Sequence, residues 1–275
     1  MNELQKIEFD LFKCFADICQ ELNLKYFLVC GSALGAARHK GFIPWDDDFD
    51  VGMYRDDYNK FIKLAPSLLP EEFFLQNYHT DPEFPYVFSK LRNSNTTFIQ
   101  KILSNLNINH GIYIDIFPLD GCPNSYFELK KLNFLKKHYL RQLNAALNMP
   151  KTLSLRGKVT VGIFKFFGCH KRTVKILKKY EKLISRYPVK DSTIICNHGT
   201  WHGKRDYILK EIYGNGTQII YEDAIVRVPE KYDEYLTSLY GDWRTPPPRD
   251  ERDDPHNCEI CDTTKSYTEY LKTSK

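Results

Sequence analysis

Between Glu3 and Leu22 the apolar side chains Leu4, Ile7, Leu11, Phe12, Phe15, Ile18, Cys19 and Leu22 recur every three or four residues, the period of a helix with one buried face. Such a helix is expected to cover a sheet. The run "KYFLVC" (Lys25 to Cys30) predicts a buried strand, Gly31-Ser32 a break, "ALGAARH" a short helix and "FDVGM" a second strand. "RDDYNKFIKLA" predicts a helix that stops before Pro66. "FFLQNY", "VFSKLR" and "GIYIDIFPLDG" predict three more strands, the last with Tyr113, Asp115 and Phe117 on one face. From Pro123 to Tyr187 the pattern is mostly helical, broken at Pro150 and Gly157 and ended by Pro188. After "STIICNHG", "TQIIYEDAIVRVP" predicts strands, "EKYDEYLTSLYG" a helix, and Pro246 to Pro248 an extended surface segment.

Strands mixed with helices, then a helical stretch, then strands again predict an α+β fold: a mixed β-sheet core flanked by helices, with a largely helical insertion. The expected division is a core over 1–122, a helical and basic segment over 123–190, and strands and a helix over 191–275 that complete the core before a tail. At 275 residues and 42% hydrophobic content the chain can bury a large core. The start lacks a basic region followed by an apolar run, and no segment reaches the ~18 apolar residues that span a bilayer, so a cytoplasmic protein is expected.

Charge and cysteines change the picture in two places. The whole chain carries +4, yet 151–190 holds twelve basic residues against Glu181 alone, a local +11. Beside the apolar run Val159 to Gly168 this suits either a peripheral contact with an anionic membrane at its inner face or a solvated helical face over a core contact. Nucleic acid is not expected, because aromatics do not interleave with the charges. The eight cysteines of a chain this size are expected as reduced thiols, with Cys14, Cys19 and Cys30 in the core. One spacing suits metal, His256-x-Cys258-x-x-Cys261, a candidate structural zinc site for which Cys122, Cys196 or a histidine would be the fourth ligand; the alternative is an unmetallated pair in a polar tail.

The densest chemistry lies in "GSALGAARHKGFIPWDDDFDVGM" (Gly31 to Met53). Four aspartates within five residues, Asp46, Asp47, Asp48 and Asp50, repel one another unless a cation compensates them. Asp48 and Asp50 stand one residue apart, so on a strand both point to one face, where two carboxylates can hold a hard divalent cation. Asp115, between Ile114 and Ile116, can approach from another strand. Gly31-Ser32 before a helix offers backbone N–H groups to a phosphate. Arg38, His39 and Lys40 follow as candidate phosphate contacts, Arg38 first for its bidentate fork, with Lys90 and Arg92 of "SKLRNS" as second-rank candidates. Trp45 is expected to pack beneath the acids, and His110 and Asp120 to shape the loop around the third one. The set suits Mg²⁺ or Mn²⁺ and phosphoryl or nucleotidyl transfer.

Cys30-Gly31-Ser32, then Asp48-Phe49-Asp50-Val51 and Ile114-Asp115-Ile116, resemble the nucleotidyltransferase superfold. More narrowly, the Gly31 to Met53 block, "YIDIFPLDGCP" and "YGDWRTPPP" resemble the LicD family, related to fukutin and fukutin-related protein. The resemblance implies a nucleotidyltransferase-like core and a transferase that moves phosphocholine or a phosphoalditol from a CDP-activated donor to a hydroxyl of a cell-surface glycan or its lipid-linked precursor, such as lipopolysaccharide or teichoic acid, releasing CMP. It implies Asp48 and Asp50 as metal ligands and Asp115 as third ligand or general base. An NTP-using nucleotidyltransferase that releases pyrophosphate, and a non-catalytic glycan- or membrane-binding protein, are the alternative readings.

Overall fold

The computed structural model describes residues 1–146, 173–200, 202–249, 252 and 257–271. Helix α1 (Glu3–Glu21) opens with a capping box in which Asn2 and Gln5 each bond the other's backbone N–H. Its apolar face, Phe9, Leu11, Phe12, Phe15, Ile18 and Cys19, is buried across the sheet. Each such side chain contributes about 1.5–3 kcal/mol on burial.

The sheet is built from β1 (Phe27–Leu28), β2 (Asp50–Tyr54), β3 (Phe73–Gln76), β4 (Ser89–Asn93), β6 (Ile112–Gly121), β7 (Ile194–Asn197) and β8 (Tyr207–Leu209), with β5 (Thr97–Gln100) outside it. Its order is β1-β2-β6-β4-β3, and β6 also pairs with β7, which pairs with β8. β2 and β6 run parallel and the other neighbours antiparallel, so the sheet is mixed and the fold is α+β, as the sequence pattern predicts. β6 is buried along all ten residues and holds three neighbours: β2 on one side, β4 and then β7 on the other. That explains its near-continuous apolar run, which acids interrupt only at Asp115 and Asp120.

Helix α2 begins at Cys30 and ends at His39, so Gly31 and Ser32 form its first turn instead of the expected break before it. Helix α3 (Arg55–Leu64) stops where Pro66 stands. Helices α4 (Tyr126–Ala146) and α5 (Thr173–Ile184) pack together, with Leu143, Ile176, Leu177, Tyr180 and Ile184 in a second small core that includes Tyr78 and Val87. Helix α6 (Lys210–Tyr213), the hairpin β9 (Thr217–Tyr221) and β10 (Ala224–Val228), and α7 (Tyr232–Tyr240) follow. A strand not anticipated in the tail, β11 (Cys258–Asp262), pairs with β5.

The apolar run Val159 to Gly168, with the basic residues up to Arg172, lies outside the described residues, as does His256. In α5, Lys175, Lys178, Lys179 and Lys182 are exposed while the opposite face, with Ile176, Leu177, Tyr180 and Ile184, is buried. Among the described residues no helix is long and apolar enough to cross a membrane.

One buried ion pair ties α3 to the central strand. Arg55 donates from Nε and Nη2 to both carboxylate oxygens of Asp120, at 2.7 Å each, and from Nη1 to Glu181 of α5 at 3.0 Å. Asp120 thus anchors a helix instead of shaping the loop near Asp115. Removing one partner of such a pair leaves a buried charge uncompensated. Asp120→Ala is expected to lower stability by about 3–5 kcal/mol in urea unfolding near neutral pH. A loss below about 1 kcal/mol, the range of a surface pair, would show that Glu181 alone satisfies Arg55.

Candidate active site

The acids are set by one buried ring. Phe49 is fully buried, 4.7 Å from Phe12 of α1 and 5.3 Å from Tyr221 of β9, so its neighbours Asp48 and Asp50 turn the other way. Asp50 opens β2 and stands in register with Asp115 on β6, whose N–H donates to the Phe49 carbonyl. On the far side of β6, Lys90 of β4 is in register with the same Asp115. Asp50, Asp115 and Lys90 therefore form one row across three adjacent strands. Lys90 pairs with Asp115 at 2.6 Å and lies 3.3 Å above the Tyr113 ring.

This row opens into a cavity of about 540 Å³ lined also by Gly31, Asp46, Asp48, Tyr86, Phe88, Phe117 and Tyr240. Gly199, Thr200 and His202, from the segment after β7, and Gln100 of β5 also line it, with Gly199 against Phe88 and Phe117. A Cβ on Gly31 would sit 2.8 Å from Asp46 Oδ2, closer than real Cβ contacts come, so glycine there lets the acid approach the start of α2. Cys30 takes the left-handed backbone conformation at φ +49°, and the Tyr235 hydroxyl accepts a hydrogen bond from its N–H. Ser32 Oγ accepts from the Asp50 N–H at 2.7 Å, so this hydroxyl orients an acid from inside the protein.

Burial and like charge dominate the electrostatics. The Asp50 carboxyl is pushed well up, first by burial and then by Asp48 and Asp115. Burial pulls Lys90 down to about 8 against the opposing pull of Asp115. One carboxylate oxygen from each of Asp46, Asp47 and Asp48 lies within 4.8 Å of the others. The donor set is oxygen-only and crowded with negative charge, which fits Mg²⁺ or Mn²⁺. Beneath it, α1 supplies polar groups that the helix period does not reveal. Gln5 Nε2 donates to the carbonyls of Ile43 and Asp46, and Glu8 is buried with its carboxyl pushed well up by burial, then by Asp48, Asp47 and Asp46.

Of the residues singled out from the sequence, Gly31, Asp48, Asp50, Asp115 and Lys90 meet at this cavity. Arg38, His39 and Lys40 do not line it. They occupy the other end of α2, where Arg38 donates to the Trp243 carbonyl at 2.8 Å and His39 lies edge-on to Trp45. Arg92 faces the same way as Lys90 but is buried one step further along β4, bonded to Gln76 and the Gly111 carbonyl at 2.5 Å each, with its plane over Tyr113. His110 bonds the Leu106 carbonyl. Cys258 and Cys261 lie on β11, and Cys122 and Cys196 pack against each other and His198. The aromatics were missed, although Phe117 stands two residues from Asp115 and Phe88 two from Lys90, the strand period that puts each on its neighbour's face. No local signal marks Gly199, Thr200 and His202.

Residues 23–152 match the family described as LicD/FKTN/FKRP, nucleotidyltransferase domain. The chain is similar to the lipopolysaccharide cholinephosphotransferase LicD of Haemophilus influenzae, 27% identical over 94% of this chain and 96% of that protein. It is also similar to the human ribitol 5-phosphate transferase FKRP, 35% identical over 71 residues that make up 24% of this chain and 14% of that protein.

The buried Glu8 has a measurable consequence in metal-free protein. Below the ordinary carboxylate pKa, folded and unfolded chains both carry the proton. Above it the unfolded chain releases the proton while the folded chain keeps it up to its raised value, so stability falls as pH rises through that window. Glu8→Gln is expected to be more stable than wild type near neutral pH and equal to it in acid, read from urea midpoints against pH in EDTA. A wild-type advantage near neutral pH would contradict this.

Proposed function

We propose that this chain, which belongs to the LicD family, transfers phosphocholine from a CDP-activated donor to a hydroxyl of a cell-surface glycan or its lipid-linked precursor and releases CMP. The observation that carries the reading is the row Asp50, Asp115 and Lys90, with Asp48 beside it, in one cavity with four aromatic rings. Similarity along nearly the whole chain to a protein named as a cholinephosphotransferase supports the same class.

Asp48 and Asp50 are the residues that would hold Mg²⁺ or Mn²⁺. When bound, the cation supplies positive charge to the donor diphosphate and to the oxygen that departs with CMP. The α2 N-terminus at Gly31 offers its dipole to the same diphosphate, since Val29 gives the helix no side-chain cap. The acceptor oxygen forms its bond to the phosphorus distal to cytidine as the bond from that phosphorus to the CMP oxygen breaks. Asp115 is held by Lys90 on one carboxylate oxygen and faces the cavity, so it takes the proton from the acceptor hydroxyl.

Tyr86, Phe88, Phe117 and Tyr240 give the alcohol end of the donor its surroundings. Tyr86 and Phe88 stack at 4.9 Å, and Phe88 meets Phe117 at 4.7 Å. Ring faces beside buried acids favour a quaternary ammonium over a polyol, which needs hydrogen-bonding side chains.

The test is CMP release from CDP-choline, CDP-ribitol and CDP-glycerol, and pyrophosphate release from NTPs, each with Mg²⁺. Turnover of CDP-choline is expected, falling about 10²–10³-fold in Asp50→Asn. Gly31→Ala is expected to lower turnover at least about tenfold with an unfolding midpoint near wild type, because the clash falls on the movable end of Asp46. Turnover of CDP-ribitol or CDP-glycerol alone would overturn the choline assignment. Pyrophosphate release from NTPs would overturn the reaction.

A further inference from the structure

Beyond the active-site acids, a second cluster of metal-ligating side chains lies at the β6–β7 edge. Cys122 follows β6, and Cys196 on β7 is paired in register with Asp120. His198 follows two residues later. The Cys122 and Cys196 sulfurs and a ring nitrogen of His198 lie within 4.8 Å of one another, and Cys196 Sγ is 3.3 Å from His198 Nδ1. Both cysteines are buried and unbridged.

Small buried thiols are ordinarily core filler, but one neighbouring feature does not fit filler. Lys136 of α4 places its ammonium 2.7 Å from His198 Nδ1, the same nitrogen that faces Cys196 Sγ, and 5.6 Å from the Tyr207 ring centre. An apolar contact needs no cation against the imidazole, whereas a metal-ligand set holds one there. Two sulfurs and one imidazole nitrogen form a soft donor set, which selects Zn²⁺ over the hard cations suited to the aspartates. Tetrahedral Zn–S bonds of about 2.3 Å put two sulfurs about 3.8 Å apart, within reach of the present spacing by small side-chain rotations.

The geometry points to a zinc site formed by Cys122, Cys196 and His198, distinct from the active-site acids, whose cation position the Lys136 ammonium takes when the metal is absent. Binding releases the two thiol protons and moves Lys136 aside, and the fourth position is left to water. His198 directly precedes Gly199 and Thr200, which with His202 wall the cavity, so the site fixes that wall to the end of β6. Zinc occupancy would thereby set the shape of the cavity where Gly199 meets Phe88 and Phe117.

The test uses the full chain, demetallated under reducing conditions and titrated with Co²⁺ and then Zn²⁺. One equivalent of Co²⁺ is expected, with thiolate charge-transfer absorption and the intense visible bands of a tetrahedral site, bleached by one equivalent of Zn²⁺. Cys196→Ser is expected to weaken binding about 10–100-fold. A Cys258→Ser/Cys261→Ser double variant is expected to leave it unchanged. Lys136→Met keeps every ligand and removes the competing ammonium, so it is expected to bind at least about tenfold more tightly even if Cys196→Ser fails to fold. No Co²⁺ thiolate band in the wild type, a band lost in the Cys258/Cys261 double variant, or unchanged affinity in Lys136→Met would each overturn the assignment.

Discussion

The protein is organised around a charge that cannot be left alone. Asp50 and Asp115 occupy opposite positions on the parallel pair β2 and β6, both nearly inaccessible to solvent, with Asp48 crowding the first and Lys90 paired to the second. Parallel register brings the two backbones within strand spacing, and burial strengthens the repulsion between the acids. One lysine beside three acids leaves net negative charge at the mouth of the cavity, which is the condition for recruiting a divalent cation together with a diphosphate.

Much of the surrounding structure holds that row in place. Phe49 locks into the α1 aromatic cluster and thereby aims Asp48 and Asp50 outward. Ser32 bonds the Asp50 N–H, Gln5 holds the carbonyls of the preceding turn, and Gly31 gives Asp46 room. The Arg55–Asp120 pair clamps α3 to the same strand five residues beyond Asp115. These contacts come from five separate segments, so the site is built by the closed fold and not by one loop.

The acids and the sheet were legible in the sequence because both follow a short period. Alternation placed Asp48 with Asp50 and put Asp115 within an apolar strand, and the helix period of α1 is plain. Where the structure places residues away from the cavity, the expectation had followed adjacency. Arg38, His39 and Lys40 stand close to Gly31 along the chain, but a helix rises 1.5 Å per residue, so Arg38 is about 10 Å from Gly31 along α2. Lys90 was found as a cation while its partner was not, since the Lys90–Asp115 register is fixed only by pairing between distant segments. The same holds for β5 with β11 and for the lining residues Gly199, Thr200 and His202. The polar pair Gln5 and Glu8 on the buried side of α1 was hidden because hydrophobic periodicity counts only apolar positions.

On the proposed function, this acidic row holds a cation against the diphosphate of a cytidine donor. The most direct measurement is diffraction at the manganese edge from crystals soaked with Mn²⁺ and CDP-choline. An anomalous peak is expected at the carboxylates of Asp48 and Asp50, with the diphosphate between it and the N-terminus of α2 at Gly31 and Asp115 still paired to Lys90. Nucleotide bound with no manganese at those carboxylates, or manganese bound there with the nucleotide elsewhere, would contradict that function.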